Sequence, residues 1–115
     1  MVLYGIPNCD TVKKARAWLA THGVDHVFHD FRKQGVDADW LARVESQVGW
    51  RALTNTRGTT WRRIAETRRA QVVDASSALP LLLEFPSAIK RPVLERDGRY
   101  HVGFSDSQYQ EIFKG

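Results

Sequence analysis

The sequence contains only one cysteine and no long apolar run among its 115 residues. A single thiol cannot close an intrachain disulfide or supply a structural zinc site, which excludes disulfide-stabilised secreted scaffolds and zinc fingers. No segment approaches the roughly 18 apolar residues of a membrane span, and the first ten residues lack the basic segment of a signal peptide. We therefore expect a cytoplasmic protein with no membrane partner.

Metal ligands are also sparse. His22, His26 and His29 lie close together in sequence, but they span a predicted helix end and a strand, without carboxylate or thiol support. That pattern is poor for a transition metal, so we expect no metal site and no bound cofactor.

The positive charge is concentrated in one segment. The net charge is +4, yet residues 51–72 hold six arginines and one glutamate, which is +5, so the rest of the chain is −1. Such a segment attracts an anion, an acidic partner or nucleic acid, and a solvated helix face accounts for it equally well. No recognition-helix signature accompanies the arginines, so we expect no direct binding to nucleic acid.

The first third predicts a β-α-β unit. Residues 2–6 form a short apolar run typical of a buried strand, and residues 26–31 read as a second strand. Between them, apolar residues recur at helical spacing from a cap at Asp10 or Thr11 to a stop at His22-Gly23. Such a unit indicates parallel strands with a right-handed crossover.

The middle of the chain predicts helices. A helix capped by Asp37 or Asp39 ends at Gly49, and a loop over 54–58 precedes a short helix around Trp61. A further helix begins at Asp74 or Ser77 and ends at Pro86. Because proline is tolerated best in the first helical turn, Pro80 favours a late start for it.

The last third predicts a hairpin followed by a helix. Residues 93–96 and 99–102 flank Asp97-Gly98, which is the dipeptide favoured in a type I′ turn. Ser105 and Gln108 have the spacing of a capping box for the final helix. The fold class is therefore α/β, with one domain over 1–115, a mixed sheet and a helical insertion at about 34–85.

Cys9 is the strongest candidate for chemistry, because it lies between a predicted strand end and a helix start. Unpaired amides and the helix dipole favour an anion there, which is the setting of a reactive thiolate. Lys13, one turn later, adds positive charge, whereas Asp10 opposes it. The alternative is an inert small side chain, as many free cysteines are, although the polar neighbours Asn8 and Asp10 argue against deep burial.

Two motifs resemble the ArsC/Spx family along essentially the whole chain. They are Tyr4-Gly5-Ile6-Pro7-Asn8-Cys9-Asp10-Thr11-Val12-Lys13-Lys14-Ala15, and Ile89-Lys90-Arg91-Pro92-Val93 followed by Val102-Gly103-Phe104. Within the family, the sequence is most similar to the small bacterial YffB proteins. The resemblance implies a thioredoxin-like fold with a helical insertion, in agreement with the element order β-α-β, helices, β-β-α.

The resemblance also implies roles for individual residues. Cys9 matches the family's nucleophile, Arg91 an arginine that faces it, and Pro92 a proline usually found in the cis form. Arg57 approximately matches an arginine of the insertion near the same pocket. The residues implied to bind substrate are Asn8, Asp10, Thr11, Lys13, Arg57 and Pro92.

Two departures from the family pattern matter. Gly103-Phe104-Ser105 stands where arsenate reductases carry a further arginine, and Cys9-Asp10-Thr11-Val12 lacks the second cysteine of many Spx regulators. After Cys9 attacks a disulfide, this chain offers no second thiol to resolve the product, so glutathione is the expected co-substrate.

The sequence therefore predicts a glutathione-dependent thiol-disulfide oxidoreductase with one nucleophilic cysteine, acting on a glutathionylated or disulfide substrate. Two alternatives stay open. One is an arsenate reductase that uses glutathione. The other is a Spx-like module that binds RNA polymerase and has no enzyme activity.

Overall fold

The computed structural model describes residues 1–114, which form two compact units. The first unit comprises residues 1–34 and 91–114, and the second comprises Gly35–Lys90. The strands are β1 (Val2–Gly5), β2 (Val27–Asp30), β3 (Val93–Arg96) and β4 (Arg99–Val102). The helices are α1 (Asp10–Thr21), α2 (Phe31–Gln34), α3 (Ala38–Val48), α4 (Trp50–Leu53), α5 (Thr59–Arg63), α6 (Glu66–Arg69), α7 (Ala75–Glu84) and α8 (Asp106–Phe113).

The first unit contains a four-stranded mixed sheet in the order β2-β1-β3-β4. β1 pairs with β2 in parallel, as the β-α-β pattern predicts, and pairs with β3 in antiparallel orientation. β3 and β4 form the predicted hairpin with Val93 opposite Val102. Asp97 and Gly98 both have positive φ, 52° and 76°, which a type I′ turn requires.

One face of this sheet is buried against α1 and α8. Leu3 and Leu94 project from the central strands into a cluster with Leu19 of α1 and Tyr109 of α8, all four fully buried. Trp18 joins the same cluster, and its indole nitrogen donates a hydrogen bond of 2.8 Å to Asp106 at the start of α8. The two helices are thereby fixed to each other as well as to the sheet.

Gly5 allows β1 to lie close to α1. A Cβ atom at this position would stand 2.9 Å from a methyl group of Val12 and 3.8 Å from the ring of Phe28. The first distance is shorter than carbon atoms tolerate, so only glycine fits without a shift of its neighbours. The end of β1 is therefore held against the first turn of the helix that follows it.

The second unit is helical. α3 begins and ends as predicted: Asp37 accepts a hydrogen bond from the Trp40 amide, and the chain leaves the helix at Gly49, whose φ is 84°. Residues 54–58 form the predicted loop before α5. The single domain over 1–115 with its insertion stays a prediction.

The late start predicted for α7 is wrong. Asp74 is the N-cap, and it forms a full capping box with Ser77, so Pro80 lies inside the helix rather than in its first turn. The missing amide of Pro80 costs one hydrogen bond, whereas Ala78, Leu81 and Leu82 are buried and hold this segment helical. Phe85 ends the helix before Pro86, as predicted. No helix in residues 1–114 is long and apolar enough to span a membrane.

Candidate functional site

Cys9 is the N-cap of α1, which corrects the predicted cap at Asp10 or Thr11. The helix begins at Asp10, and the carbonyl oxygen of Cys9 accepts a hydrogen bond of 2.9 Å from the amide of Lys13. Its side chain is half-buried and makes no capping hydrogen bond. Cysteine is not a favoured N-cap, so capping preferences point to its oxygen-bearing neighbours instead.

The start of α1 provides a favourable place for negative charge. The first amides of a helix lack partners within the helix, and the macrodipole adds partial positive charge at the same end. Asp10 and Lys13 are both exposed, and Thr11 is half-buried. The negative charge of Asp10 opposes a further anion here, whereas the positive charge of Lys13 favours one. Because the thiol takes no part in capping, these amides are not occupied by an N-cap side chain.

The register of the sheet brings Arg91 and Pro92 to the same edge as Cys9. Tyr4 of β1 lies opposite Val93 of β3, so the segment that leaves β1 and the segment that enters β3 meet at that edge. The Arg91-Pro92 bond is cis, as the family resemblance implies, and Pro92 is fully buried while Arg91 is half-buried.

The remaining predicted site residues are placed as follows. Asn8 is exposed beside Cys9 in the segment that links β1 to α1. Arg57 is exposed in the second unit, where its amide donates a hydrogen bond of 3.2 Å to the Asn55 side chain. A role for Arg57 next to Cys9 stays a prediction.

Gly103 and Phe104 lie at the same edge and were not among the predicted site residues. The amide of Gly103 donates a hydrogen bond of 2.8 Å to the carbonyl oxygen of Pro92, and Phe104 follows it directly. The sequence carried a signal for this: a two-residue turn at 97–98 fixes the register of the hairpin and places residue 103 beside residue 92. Within the described part of the chain, no group of three or more His, Cys, Asp or Glu side chains is arranged to hold a metal ion.

Comparison with known proteins identifies the family. The model of the ArsC family matches residues 4–112. The chain belongs to the ArsC family. The match includes the Cys9 segment, the cis proline and the hairpin, so the residues that carry the predicted ArsC/Spx resemblance all fall within it.

Three relatives match this chain along most of its length. An arsenate reductase (ArsC) related protein from Brucella melitensis is 53% identical, with a TM-score of 0.77 and coverage of 99% of this chain and 94% of that one. The solved structure of a YFFB protein is 46% identical, with a TM-score of 0.91 and coverage of 96% of each chain. The global transcriptional regulator Spx 1 of Lactococcus lactis is 27% identical over 92% of this chain and 83% of its own.

These matches confirm the predicted family, the YffB similarity and the thioredoxin-like fold with its mixed sheet. They also show that this ArsC family chain has both arsenate-reductase-like and Spx-like relatives.

Proposed function

We propose that this ArsC family protein is a cytoplasmic, glutathione-dependent thiol-disulfide oxidoreductase with Cys9 as its nucleophile. The observation that carries the proposal is the position of Cys9. It is the N-cap of α1, half-buried, with its thiol free of any capping hydrogen bond. A thiolate there is stabilised by the start of the helix, and thiolates are the reactive form in disulfide exchange.

The reaction proceeds in two exchange steps. The Cys9 thiolate attacks the glutathione sulfur of a mixed disulfide, a Cys9–glutathione disulfide forms, and the substrate leaves as a thiolate. A second glutathione thiolate then attacks the glutathione sulfur of this adduct, which releases glutathione disulfide and returns the Cys9 thiolate. The substrate leaves as a thiol, one free glutathione joins the glutathione unit taken from the substrate to form glutathione disulfide, and no second protein thiol is required.

Arg91 stabilises the thiolate and binds a carboxylate of glutathione in this scheme. The support is its place at the start of β3, on the sheet edge where β1 ends. A guanidinium can form two parallel hydrogen bonds with a carboxylate. Asn8, Asp10, Thr11, Lys13 and Pro92 are proposed to bind the substrate with Arg91, and the substrate-binding role of Arg57 stays a prediction.

The decisive test is adduct formation. The protein is incubated with glutathione disulfide at pH 7, and its intact mass is measured with and without reductant. We expect one glutathione per chain, removed by excess glutathione and absent in Cys9→Ser. Absence of an adduct in the parent protein refutes the proposal.

Arsenate reduction is the second candidate, favoured by the 53% identity to the Brucella arsenate reductase related protein. In this reaction Cys9 attacks the arsenic and glutathione resolves the product. A multiply charged oxyanion requires several donors, however, and this chain has Gly103-Phe104-Ser105 where arsenate reductases carry a further arginine. Glutathione-coupled turnover of arsenate by the parent protein, lost in Cys9→Ser, would favour this candidate.

A Spx-like regulatory module is the third candidate, because Spx 1 of Lactococcus lactis covers most of the chain. Because no second cysteine follows Cys9, such a module would have no switch between a dithiol and a disulfide. Stoichiometric binding to purified RNA polymerase that is unaffected by Cys9→Ser would favour binding over catalysis.

A further inference from the structure

Phe104 is a half-buried aromatic residue between β4 and α8. Its ring packs edge-on against Tyr109, with ring centroids 4.7 Å apart and an interplanar angle of 78°. Tyr109 is fully buried in the core of the first unit. The next residue, Ser105, caps α8 by accepting a hydrogen bond of 3.0 Å from the Gln108 amide. Phe104 is therefore held on both sides, by the core and by the start of a helix.

The sheet places Phe104 on the edge that carries the candidate site. β1 ends and β4 ends at this edge, whereas β3 begins there. The hydrogen bond between Gly103 and Pro92 fixes residue 103 beside the cis proline, and Phe104 is its immediate neighbour. Phe104 is thus a half-buried residue that directly follows the residue hydrogen-bonded to the cis proline.

We propose that Phe104 is a specificity-determining residue that selects organic disulfides over small, multiply charged oxyanions. This inference rests on the proposed function for the assignment of Cys9 as the nucleophile. An aromatic ring offers no hydrogen-bond donor to an oxyanion, but it packs well against carbon atoms and peptide planes next to a disulfide. Apolar walls with few polar groups are typical of sites that bind organic ligands.

The step that Phe104 assists is the first exchange. The Cys9 thiolate attacks one sulfur of the disulfide, a new sulfur–sulfur bond forms, and the other half leaves as a thiolate. The ring of Phe104 contacts the organic part of the substrate and takes no part in proton or electron transfer. Its removal should therefore affect disulfides more than a small alkylating reagent that reacts with the same thiol.

The test compares three reagents on the full chain at pH 7: glutathione disulfide, the neutral aromatic disulfide 4,4′-dithiodipyridine, and iodoacetamide. We expect Phe104→Ala to slow reaction with both disulfides about ten-fold and to change alkylation by iodoacetamide less than about two-fold. Phe104→Leu retains an apolar side chain and should lose only about three-fold. If Phe104→Ala does not fold, Phe104→Leu alone carries the test.

Phe113→Leu is the matched control, because Phe113 is another half-buried ring of the same core cluster, at the far end of α8. It should leave all three rates unchanged. Equal rates for Phe104→Ala and the parent overturn the inference, as does an equal loss with iodoacetamide or an equal loss in Phe113→Leu. If glutathione disulfide gives no adduct but the aromatic disulfide still depends on Phe104, the proposed function fails and this inference stands.

Discussion

Substitution of Gly5 by alanine tests how the end of β1 is held against α1. The added Cβ atom would stand 2.9 Å from Val12, a fully buried residue whose branched side chain has little rotamer freedom in a helix. The ring of Phe28 would lie 3.8 Å from the same Cβ atom, which is an ordinary contact distance. The variant must therefore push β1 and the first turn of α1 apart, and Cys9 is the N-cap of this turn.

The magnitude follows from the two opposing effects of the substitution. Overpacking of a filled core costs about 1–3 kcal/mol, and replacing glycine in a strand returns roughly 0.5–1 kcal/mol of chain entropy. We expect Gly5→Ala to lower the free energy of unfolding by about 1–2 kcal/mol. Val12→Ala removes two buried methyl groups and should cost about 2 kcal/mol.

The double variant distinguishes this steric cause from others. Because Val12→Ala creates the space that the new methyl group needs, Gly5→Ala/Val12→Ala should be more stable than Val12→Ala alone by roughly the 0.5–1 kcal/mol of chain entropy. Urea unfolding of the four proteins gives the coupling energy, expected to equal the overpacking cost of about 1–3 kcal/mol. If the two losses simply add, the close approach of Gly5 to Val12 does not limit the packing and the reasoning is wrong.

Three further predictions concern the same unit. Arg91→Ala should slow both alkylation of the Cys9 thiol and formation of its glutathione adduct by about one to two powers of ten, because a charge-assisted contact is worth about 1.5–3 kcal/mol. Arg91→Lys should restore only part of these rates. Rates equal to those of the parent protein exclude Arg91 from the site. Tyr109→Phe should leave the free energy of unfolding unchanged or raise it by up to about 1 kcal/mol, because the buried Tyr109 hydroxyl has no hydrogen-bond partner among residues 1–114. A loss above about 1 kcal/mol in urea unfolding contradicts this. Burial, with smaller contributions from Arg96 and Arg99, lowers the pKa of His101. As the pH drops below about 6.5, the unfolded chain binds a proton at His101 that the folded chain does not, so the free energy of unfolding falls. His101→Gln should reduce this fall, measured by urea titrations between about pH 7.5 and 5.5.

The hairpin and the caps were predictable because they depend on local chemistry. Asp97-Gly98 fits the positive φ angles of its turn, and that turn alone sets the strand register that places residue 103 beside Pro92. Ser105 caps α8 as predicted, but the Gln108 side chain donates to the carbonyl oxygen of Val102 rather than completing the capping box. The partner changes because the preceding strand end is close, which the local pattern does not encode.

Features that depend on tertiary packing were harder to predict. Pro80 disfavours a helix interior locally, yet burial of its neighbours keeps α7 continuous. The need for glycine at position 5 arises from the distance between β1 and α1, which no property of the sequence near Gly5 reveals. The candidate site follows the same division: motifs made Cys9 and Arg91 candidates, whereas Phe104 joined them because the amide of Gly103 beside it donates a hydrogen bond to Pro92.

Cys9 occupies the N-cap of α1 although cysteine is a poor capping residue, and this choice leaves the start of the helix open. Serine, aspartate or asparagine would use its side-chain oxygen to satisfy the amides at the start of α1, and would stabilise the helix by about 1 kcal/mol relative to a residue that does not cap. Cys9 leaves those amides unoccupied by a side chain, so they and the helix dipole stay available to an incoming anion. The helix is thus less stable with Cys9 than it would be with a capping residue at the same position. For this reason Cys9→Ser should fold at least as stably as the parent while forming no adduct, which separates loss of the nucleophile from loss of the fold.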